Sequence, residues 1–502
     1  MADDQLTRDP RAPSARGASP ATRFPTRLII GGEALDAASG ATFPTVNPAT
    51  EEVLAEVALA GGDDVDRAVR SAREAYASAT WQGTGARQRG RLLHRLAEAV
   101  EREADALARL ETLDNGKTLF ESAVDVRLAA ATLRYFGGLA DKVHGETIPV
   151  DGGYLNYTRR EPIGVVGAIV PWNFPITQAV WKVAPAIACG NAVVLKPSEN
   201  TPFTALRLAE LALECGVPPG IFNCVPGYGP DAGRALVRHA LVDKVAFTGS
   251  TATGRSIMRD AADTVKRVTL ELGGKSPNIV FADADLDAAA RGAFQAIFYG
   301  KGEVCAAGSR LLVEDAVYDA VRDRLLERMA VLKPGDPLQK GTRLGALVSG
   351  AQRDRVLAYV ARGREQGARL TTGGSAAAVG GRGWFVEPAL FEDVQADMTI
   401  AREEIFGPVL AMMRFSGGEA GAVALANDTI YGLAAAVWSR DIGKALRTAH
   451  AIRAGTVWVN CYNAYDPASP FGGMKQSGFG RELGVHAVEA YTEVKSVWVA
   501  LS

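Results

Sequence analysis

One cysteine, Cys305, stands in the stretch "YGKGEVCAAGSRLLVE" (299–314), after a glycine-rich segment and before an apolar run. A thiol can attack a carbonyl carbon when a base takes its proton, and that base need only be near it in space. The alternative is that Cys305 is a small buried apolar side chain, the common role of a free cysteine. The stretch by itself leaves both interpretations open.

A second stretch with chemical potential is "GSTATG" (249–254), which ends the apolar run "KVAFTG" and opens a helical pattern. A helix that starts at Gly249, Ser250 and Gly254 offers unpaired N–H groups and a partial positive charge to a pyrophosphate. The string is not the G-x-G-x-x-G fingerprint of dinucleotide-binding turns, so it is a weak motif in isolation. Phosphate binding is therefore predicted from its position between strand and helix.

Lys196 and Glu199, in "VVLKPSEN", follow another predicted strand. A carboxylate after the second strand of a dinucleotide fold grips the adenosine ribose and repels a 2′-phosphate. NAD is therefore predicted as the cofactor rather than NADP, with Lys196 and Glu199 in its site. The alternative is that both are ordinary surface charges at a strand end.

Bulk composition restricts the class of protein. The 502 residues are 47% hydrophobic and 22% charged with a net charge of −2, which indicates a globular protein and argues against nucleic-acid binding. The five cysteines lack CxxC spacing, and the five histidines form no HExxH or HxH pair, so no metal site is predicted. Residues 1–24 are predicted to be a disordered tail, and a cytoplasmic protein without a membrane span is expected.

The secondary structure that must position these groups is predicted to be helical in the first part of the chain and mixed in the rest. Residues 62 to about 143 show helical periodicity, and from "GVVGAIVP" onward short apolar strands alternate with helices in two series. The first helix of these series is predicted to begin near Gln178. This alternation predicts an α/β fold with two doubly wound parallel sheets, whose ligands bind beyond the carboxyl ends of the strands. The final run, "AVEAYTEVKSVWVALS", is predicted to be a strand that pairs with the hairpin near residue 154 or with another subunit.

Several runs, in this order, resemble the NAD(P)-dependent aldehyde dehydrogenases. They are "PWNFP" (171–175), "KPSE" (196–199), "FTGSTATGR" (247–255), "LELGGKSP" (270–277), "GEVCAAGSR" (302–310), "EEIFGPV" (403–409) and "SPFGGMKQSGFGRELG" (469–484). The resemblance implies an NAD-binding domain (25–140 and 161–272), a catalytic domain (273–470) and a bridging β element (141–160 and 485–502). It also implies a homo-oligomer, a dimer or a tetramer.

The resemblance assigns the chemistry as well. It makes Cys305 the nucleophile, Glu271 the base that activates water, and the Asn173 amide an oxyanion donor, with Lys182 supporting this region. It places Trp172 and Ser250 on the pyrophosphate, Glu404 on the nicotinamide ribose and Phe406 against the nicotinamide. The substrate passage would be lined by Phe174, Trp181, Tyr465 and Phe471. Glu271 argues for a carboxylic acid product rather than acyl transfer to coenzyme A.

Departures from the family pattern concern the thiol and the substrate. Lys301 and Glu303 occupy positions where amides are common, and Glu303 would raise the thiol pKa unless it points away or pairs with Lys301. The apolar passage favours aliphatic or aromatic aldehydes of medium size, with broad specificity. The resemblance thus implies NAD-dependent aldehyde oxidation; the alternatives are a non-redox thiol esterase and a non-enzymatic structural protein.

Overall fold

The computed structural model describes residues 23–501, so the predicted tail, apart from its last two residues, lies outside the described part. Within those residues the strands are β1 Leu28–Ile30, β2 Glu33–Leu35, β3 Thr42–Val46, β4 Val53–Ala58, β5 Thr147–Ile148, β6 Tyr154–Pro162, β7 Val165–Ile169, β8 Ala192–Lys196, β9 Phe222–Cys224, β10 Lys244–Thr248, β11 Arg267–Glu271, β12 Pro277–Val280, β13 Arg310–Glu314, β14 Arg369–Thr372, β15 Ala376–Val379, β16 Arg382–Val386, β17 Ala389–Glu392, β18 Val409–Phe415, β19 Ala434–Trp438, β20 Thr456–Val459, β21 Gly478–Phe479 and β22 Thr492–Ala500.

The α-helices of the same residues are α1 Gly62–Ala77, α2 Ala79–Gln82, α3 Ala86–Arg102, α4 Ala104–Asn115, α5 Leu119–Leu139, α6 Pro175–Cys189, α7 Phe203–Glu214, α8 Arg234–Arg238, α9 Thr251–Ala261, α10 Leu286–Phe298, α11 Tyr318–Met329, α12 Gly350–Glu365, α13 Thr399–Arg402, α14 Gly418–Asn427, α15 Ile442–Ala451 and α16 His486–Tyr491. None of them is long and apolar enough to cross a bilayer.

Two mixed sheets with parallel centres dominate the fold, which confirms the predicted fold class. The first has the order β2-β1-β9-β8-β7-β10-β11-β21. Its five central strands, β9, β8, β7, β10 and β11, are parallel, and the outer strands pair antiparallel with their neighbours. The second has the order β14-β17-β18-β13-β12-β19-β20, with only β14 antiparallel. The central strands β7, β8 and β10 are completely buried, as expected for strands covered by helices on both faces.

A third, three-stranded sheet has the order β22-β6-β5. β22 pairs with β6 in an antiparallel register from Thr492↔Pro162 to Ala500↔Tyr154, which is the first of the two predicted pairings. The prediction that the strand begins near residue 487 was wrong, because His486–Tyr491 is the helix α16. Ala487, Val488 and Tyr491 are buried on it at helical spacing, so its apolar positions fit a helix as well as a strand.

One helix boundary also differs from the prediction and affects the site. The helix expected to begin near Gln178 begins at Pro175, because a proline at the first helical position has a suitable φ and needs no hydrogen-bond acceptor for its nitrogen. Its N-cap residue is Phe174. The segment between β7 and α6 is therefore a short turn, and it carries three of the predicted site residues.

Candidate active site

The carboxyl ends of neighbouring parallel strands gather most of the predicted site residues at one edge of the first sheet. β7 ends just before Asn173, Glu271 is the last residue of β11, and β10, between these strands, leads into Gly249. Side chains that follow adjacent parallel strands must meet at the same edge. The sheet therefore brings together groups that lie about a hundred residues apart in the sequence.

Cys305 is a partly exposed thiol that lies beside the carboxylate of Glu271. Burial raises the pKa of Glu271 to about 7, partly opposed by the hydrogen bond to Cys305. Burial and the charge of Glu271 raise the pKa of the Cys305 thiol well above its usual value. Neither buried Glu271 oxygen accepts a well-aligned hydrogen bond from a described group, so the contact with Cys305 is close but loosely aligned. The resting pair is thus a neutral thiol beside a carboxyl group that titrates near neutral pH.

The Asn173 side chain is fixed next to this pair. Its Nδ2 donates to the backbone oxygen of Glu303 at 2.9 Å, while its Oδ1 is buried without a partner. Only one of the two N–H bonds of the amide is used, so the second can bind an oxygen atom near Cys305. Asn173 is 5% exposed, so few other orientations are open to it.

Lys182 lies on α6 and is completely buried. Its Nζ donates to Thr248 Oγ1 at 2.8 Å and forms an ion pair with Glu482 at 3.0 Å. The positive charge of Lys182 lowers the pKa of Glu271, and the negative charge of Glu482 raises it. Glu482 was not among the predicted site residues, although it lies inside the quoted "GRELG" run. The structure thus places a buried ion pair behind the predicted base.

The predicted phosphate-binding turn forms the start of α9. Ser250 is the N-cap, and its Oγ accepts from Thr253 N at 3.1 Å. The expectation that both glycines offer free N–H groups was wrong, because Gly249 N donates to Glu271 O and Gly254 N to Ser250 O. The glycines instead provide space: a Cβ on Gly254 would lie 2.7 Å from Leu272 Cδ2. The N–H groups left without an intrahelical acceptor are those of the first turn, after Ser250.

Lys196 and Glu199 lie close together in the structure but differ in burial. Lys196 is 3% exposed, and its Nζ donates to Pro197 O at 2.7 Å and to Gly227 O at 2.6 Å. It is therefore not a surface charge, and its ammonium is committed to backbone carbonyls, which orders the turn after β9. The Glu199 carboxylate lies 3.9 Å from that ammonium and is 36% exposed. The Glu199 carboxylate and the third N–H of the Lys196 ammonium could both meet a ribose.

Glu404 and Phe406 lie before β18 of the second sheet. Glu404 Oε1 accepts from Gly274 N at 3.0 Å, and burial raises its pKa to about 7. Phe406 has a left-handed φ of 64°, and its ring meets the Trp172 ring edge to face at 5.3 Å. Gln352 Nε2 on α12 fixes this segment by donating to Phe406 O at 2.6 Å, a contact that no motif of the sequence indicated.

Three of the four predicted substrate residues form an aromatic row. The Trp181 and Phe471 rings are 5.5 Å apart, and the Phe471 and Tyr465 rings are 5.6 Å apart. Phe174 is not part of this row; its ring lies under the ammonium of Lys117 at 4.4 Å. The buried Trp181 Nε1 has no hydrogen-bond partner among the described groups. Within residues 23–501, no cluster of histidine, cysteine, aspartate or glutamate could hold a metal ion.

Comparisons with known proteins agree on one family. The sequence profile of the aldehyde dehydrogenase family matches residues 35–497. The human protein named "Aldehyde dehydrogenase, mitochondrial" is 50% identical over 479 residues, covering 95% of this chain and 92% of the human one. The NAD+ complex of an aldehyde dehydrogenase from Bacillus cereus superposes with a TM-score of 0.93 at 48% identity, covering 95% of this chain and 97% of that one. An NAD+ complex of an indole-3-acetaldehyde dehydrogenase superposes with a TM-score of 0.94 at 48% identity, covering 95% of this chain and 97% of that one.

Proposed function

The chain belongs to the aldehyde dehydrogenase family and oxidises aldehydes to carboxylic acids with NAD, and we propose that Cys305, Glu271 and Asn173 carry the chemistry. One observation carries the assignment: the thiol of Cys305 lies beside a buried carboxylate whose pKa is raised to about 7. A carboxylate with that pKa is half ionised at neutral pH, where a general base is most effective.

In the first half of the reaction the thiol forms a bond to the aldehyde carbon. Glu271 takes the thiol proton as sulfur attacks, because the resting thiol is neutral and no other base adjoins it in the described structure. The carbonyl oxygen then carries negative charge in a thiohemiacetal. The free N–H of the Asn173 amide and the backbone N–H of Cys305 stabilise it, and removing one such donor costs about 3–4 kcal/mol of transition-state stabilisation.

In the second half the thioester on Cys305 is cleaved by water. NAD, when bound, supplies the hydride acceptor that converts the thiohemiacetal to this thioester. After Glu271 has released the thiol proton to solvent, it takes a proton from the attacking water, and sulfur leaves as a thiolate while the acid forms. Burial keeps the pKa of Glu271 at about 7, while the charge of Lys182 lowers it and the charge of Glu482 raises it. The presence of this base supports a hydrolytic product rather than acyl transfer to coenzyme A.

The residues present fit a dinucleotide. The N-terminus of α9 at Ser250 favours a pyrophosphate, and the partly exposed Glu199 carboxylate favours a ribose with free hydroxyls. Glu404 would hold the nicotinamide ribose, and the Phe406 and Trp172 rings, packed on each other, would border the nicotinamide and pyrophosphate. Lys196 acts indirectly, by ordering the neighbouring turn through its two carbonyl contacts.

We propose aliphatic or aromatic aldehydes of medium size as substrates. Trp181, Tyr465 and Phe471 form an aromatic row, and Phe174 adds a fourth ring near Gly300. A passage of this kind selects by shape and apolar area and discriminates single methylenes weakly. Its specificity should therefore be broad.

We also propose a homo-oligomer, with a tetramer as the expected form. The β22-β6-β5 sheet exposes a group of large apolar side chains, Val494, Trp498, Val499, Leu501, Tyr154 and Leu155. Trp498 is 59% exposed, its ring lies 6.0 Å from that of Tyr154, and exposed apolar side chains grouped on a sheet are typical of a protein–protein contact. Light scattering should give about four times the mass of one chain, and Trp498→Glu should reduce that mass; a wild-type monomer would refute the proposal.

A cytoplasmic location is proposed because all five cysteines are free, including the exposed Cys461. Unpaired thiols are typical of a reducing compartment. Fractionation of the cells that produce the protein tests this location. Recovery of the activity outside the cytoplasm would contradict it.

The alternative of a thiol esterase uses the same cysteine and carboxylate without redox chemistry. The decisive experiment follows reduced nicotinamide by absorbance with a panel of aldehydes, and ester hydrolysis with and without NAD, for wild type and Cys305→Ala. We expect aldehyde oxidation to exceed ester hydrolysis and to disappear in the variant. Ester turnover that far exceeds aldehyde oxidation would reverse the assignment.

A further inference from the structure

The turn that leads into Cys305 contains a buried ion pair. Lys301 is 2% exposed and Glu303 is 1% exposed, and Lys301 Nζ lies 2.7 Å from Glu303 Oε2. The contact is an ion pair without good hydrogen-bond alignment, since that oxygen accepts no directed bond. Burial lowers the pKa of Lys301 and raises that of Glu303, so each charge depends on its partner. Two charges thus lie fully buried within four residues of the nucleophile.

Asn115 connects this pair to the oxyanion-binding turn. Lys301 Nζ donates to Asn115 O and Asn115 Oδ1, both at 2.8 Å. Asn115 Nδ2 donates to Trp172 O at 2.7 Å, one residue before Asn173. Asn173 Nδ2 in turn donates to Glu303 O at 2.9 Å. The contacts therefore close a ring that joins the turn before Cys305 to the turn that carries the oxyanion amide.

The backbone of the turn before Cys305 is strained. Gly300, Lys301 and Gly302 have consecutive left-handed φ values of 57°, 61° and 72°. Lysine rarely adopts this conformation, and a residue held in it is kept there by its surroundings. The three contacts of the Lys301 ammonium, together with the bond from Gly300 N to Glu121 Oε1 at 2.8 Å, supply that restraint.

The Glu303 carboxylate points away from the thiol. Its second oxygen, Oε1, accepts from Val348 N at 3.1 Å, so both oxygens are held on the Lys301 side. The charges that act most on Cys305 are those of Glu271 and Glu404. Of the two arrangements expected from the sequence, the structure thus has Glu303 both turned away and paired. Lys117, from the turn after α4, is a further charge that acts on both members of the pair.

We propose that Lys301 and Glu303, connected through Asn115, form a positioning pair that fixes the Asn173 amide relative to the turn before Cys305. The pair also cancels the charge of Glu303 near the nucleophile. The pair touches neither substrate nor cofactor, and it acts through Asn173 and Cys305. This inference rests on the proposed function, because it needs those two residues to be the oxyanion donor and the nucleophile.

The test compares Lys301→Gln, Glu303→Gln and the double variant. Each single change leaves one buried charge without its partner, so kcat should fall about 10- to 100-fold while the Kd of NAD stays within about twofold. The double variant has a neutral amide pair of the same size and should recover to within about threefold of wild type. Single variants with wild-type kcat, or a double variant as slow as the slower single one, would overturn the proposal.

A second readout separates positioning from general stability. The rate at which iodoacetamide alkylates Cys305, followed against pH, should move to higher pH in Lys301→Gln and to lower pH in Glu303→Gln, because the remaining charges have opposite signs. Glu271 and Glu404 also face the thiol but are unchanged in both variants. Shifts in the same direction, or none, would contradict the charge-cancelling role.

Controls cover folding and the underlying function. Arg207→Gln removes an ion pair with Glu103 away from the site and should lower the melting temperature without changing kcat. If a glutamine variant does not fold, Lys301→Arg and Glu303→Asp replace it, because they keep both charges and alter only the geometry. In these variants kcat should fall while NAD binding is preserved. A wild-type kcat in both would overturn the proposal. Cys305→Ala tests the proposed function separately, since activity in that variant would refute the nucleophile rather than the positioning pair.

Discussion

The thiol of Cys305 and the carboxylate of Glu271 are neighbours in the structure, and each alters the titration of the other. The carboxylate raises the pKa of the thiol, and the thiol's hydrogen bond lowers the pKa of a carboxyl group that burial has raised to about 7. Above a pH of about 7 the carboxyl group is therefore mostly ionised, while the thiol keeps its proton. In the proposed mechanism a single carboxylate serves both bond formation to the substrate and hydrolysis of the thioester, and it releases the first proton before it accepts the second.

Cys305→Ala should lower kcat for aldehyde oxidation by about 10³-fold or more, because no other nucleophile can form the thioester. NAD binding, measured by calorimetry, should remain. Cys461→Ala is the matched control, since Cys461 is an exposed free thiol outside the site, and it should behave as wild type. Activity lost equally in both variants would remove the special role of Cys305.

Glu271→Gln should lower steady-state turnover about 10²- to 10⁴-fold, because the amide cannot take a proton from sulfur or from water. In rapid-mixing experiments, reduced nicotinamide should form slowly and the thioester should persist, detectable by mass spectrometry of the intact chain. A variant that turns over at the wild-type rate would exclude Glu271 as the base.

The wild-type rate should rise as the pH is raised through about 7. The reason is that the ionised form of Glu271 is the active base, and its fraction grows above its pKa. The pKa of Glu404 is also raised to about 7, so Glu404→Gln is the necessary control and should keep this pH dependence. If the rise of the rate with pH disappears in Glu404→Gln and persists in Glu271→Gln, the pH dependence belongs to Glu404.

Asn173→Ala should lower kcat about 10²- to 10³-fold, with a smaller effect on KM, because the amide binds charge that develops after the substrate is bound. Its buried contact with Glu303 O is also lost, so the melting temperature should be measured in parallel. Equal losses in kcat and in substrate binding would indicate a ground-state role instead.

Glu199→Ala should reduce the preference for NAD over NADP, measured as the ratio of the two kcat/KM values, by about 10-fold. The carboxylate both binds ribose hydroxyls and repels a 2′-phosphate, so its removal lowers one value and raises the other. Glu51→Ala, an exposed carboxylate far from this strand end in the sequence, should leave the ratio unchanged. An unchanged ratio in Glu199→Ala would move ribose recognition to another residue.

Much of the fold followed from local patterns. The apolar runs of β7, β8 and β10 and the periodic helices α1, α3 and α5 lie where the sequence predicted them. Two errors had local causes as well: α6 begins earlier because Pro175 suits a first helical turn, and α16 shares its apolar spacing with a strand. The domain boundaries remain predictions.

The sequence by itself determined which residue types stand in which short runs, and so the family and the reaction; the proposed pair of Cys305 and Glu271 comes from the same runs. Tertiary structure decided the partners: Lys182 meets Glu482 300 positions away, and Lys301 meets Asn115 186 positions away. Lys196, predicted at the cofactor, also donates to two backbone carbonyls that its own stretch of sequence does not reveal. The physical reason is that a buried charge must be compensated by whatever group the packing brings near, and chain separation carries no information about that group.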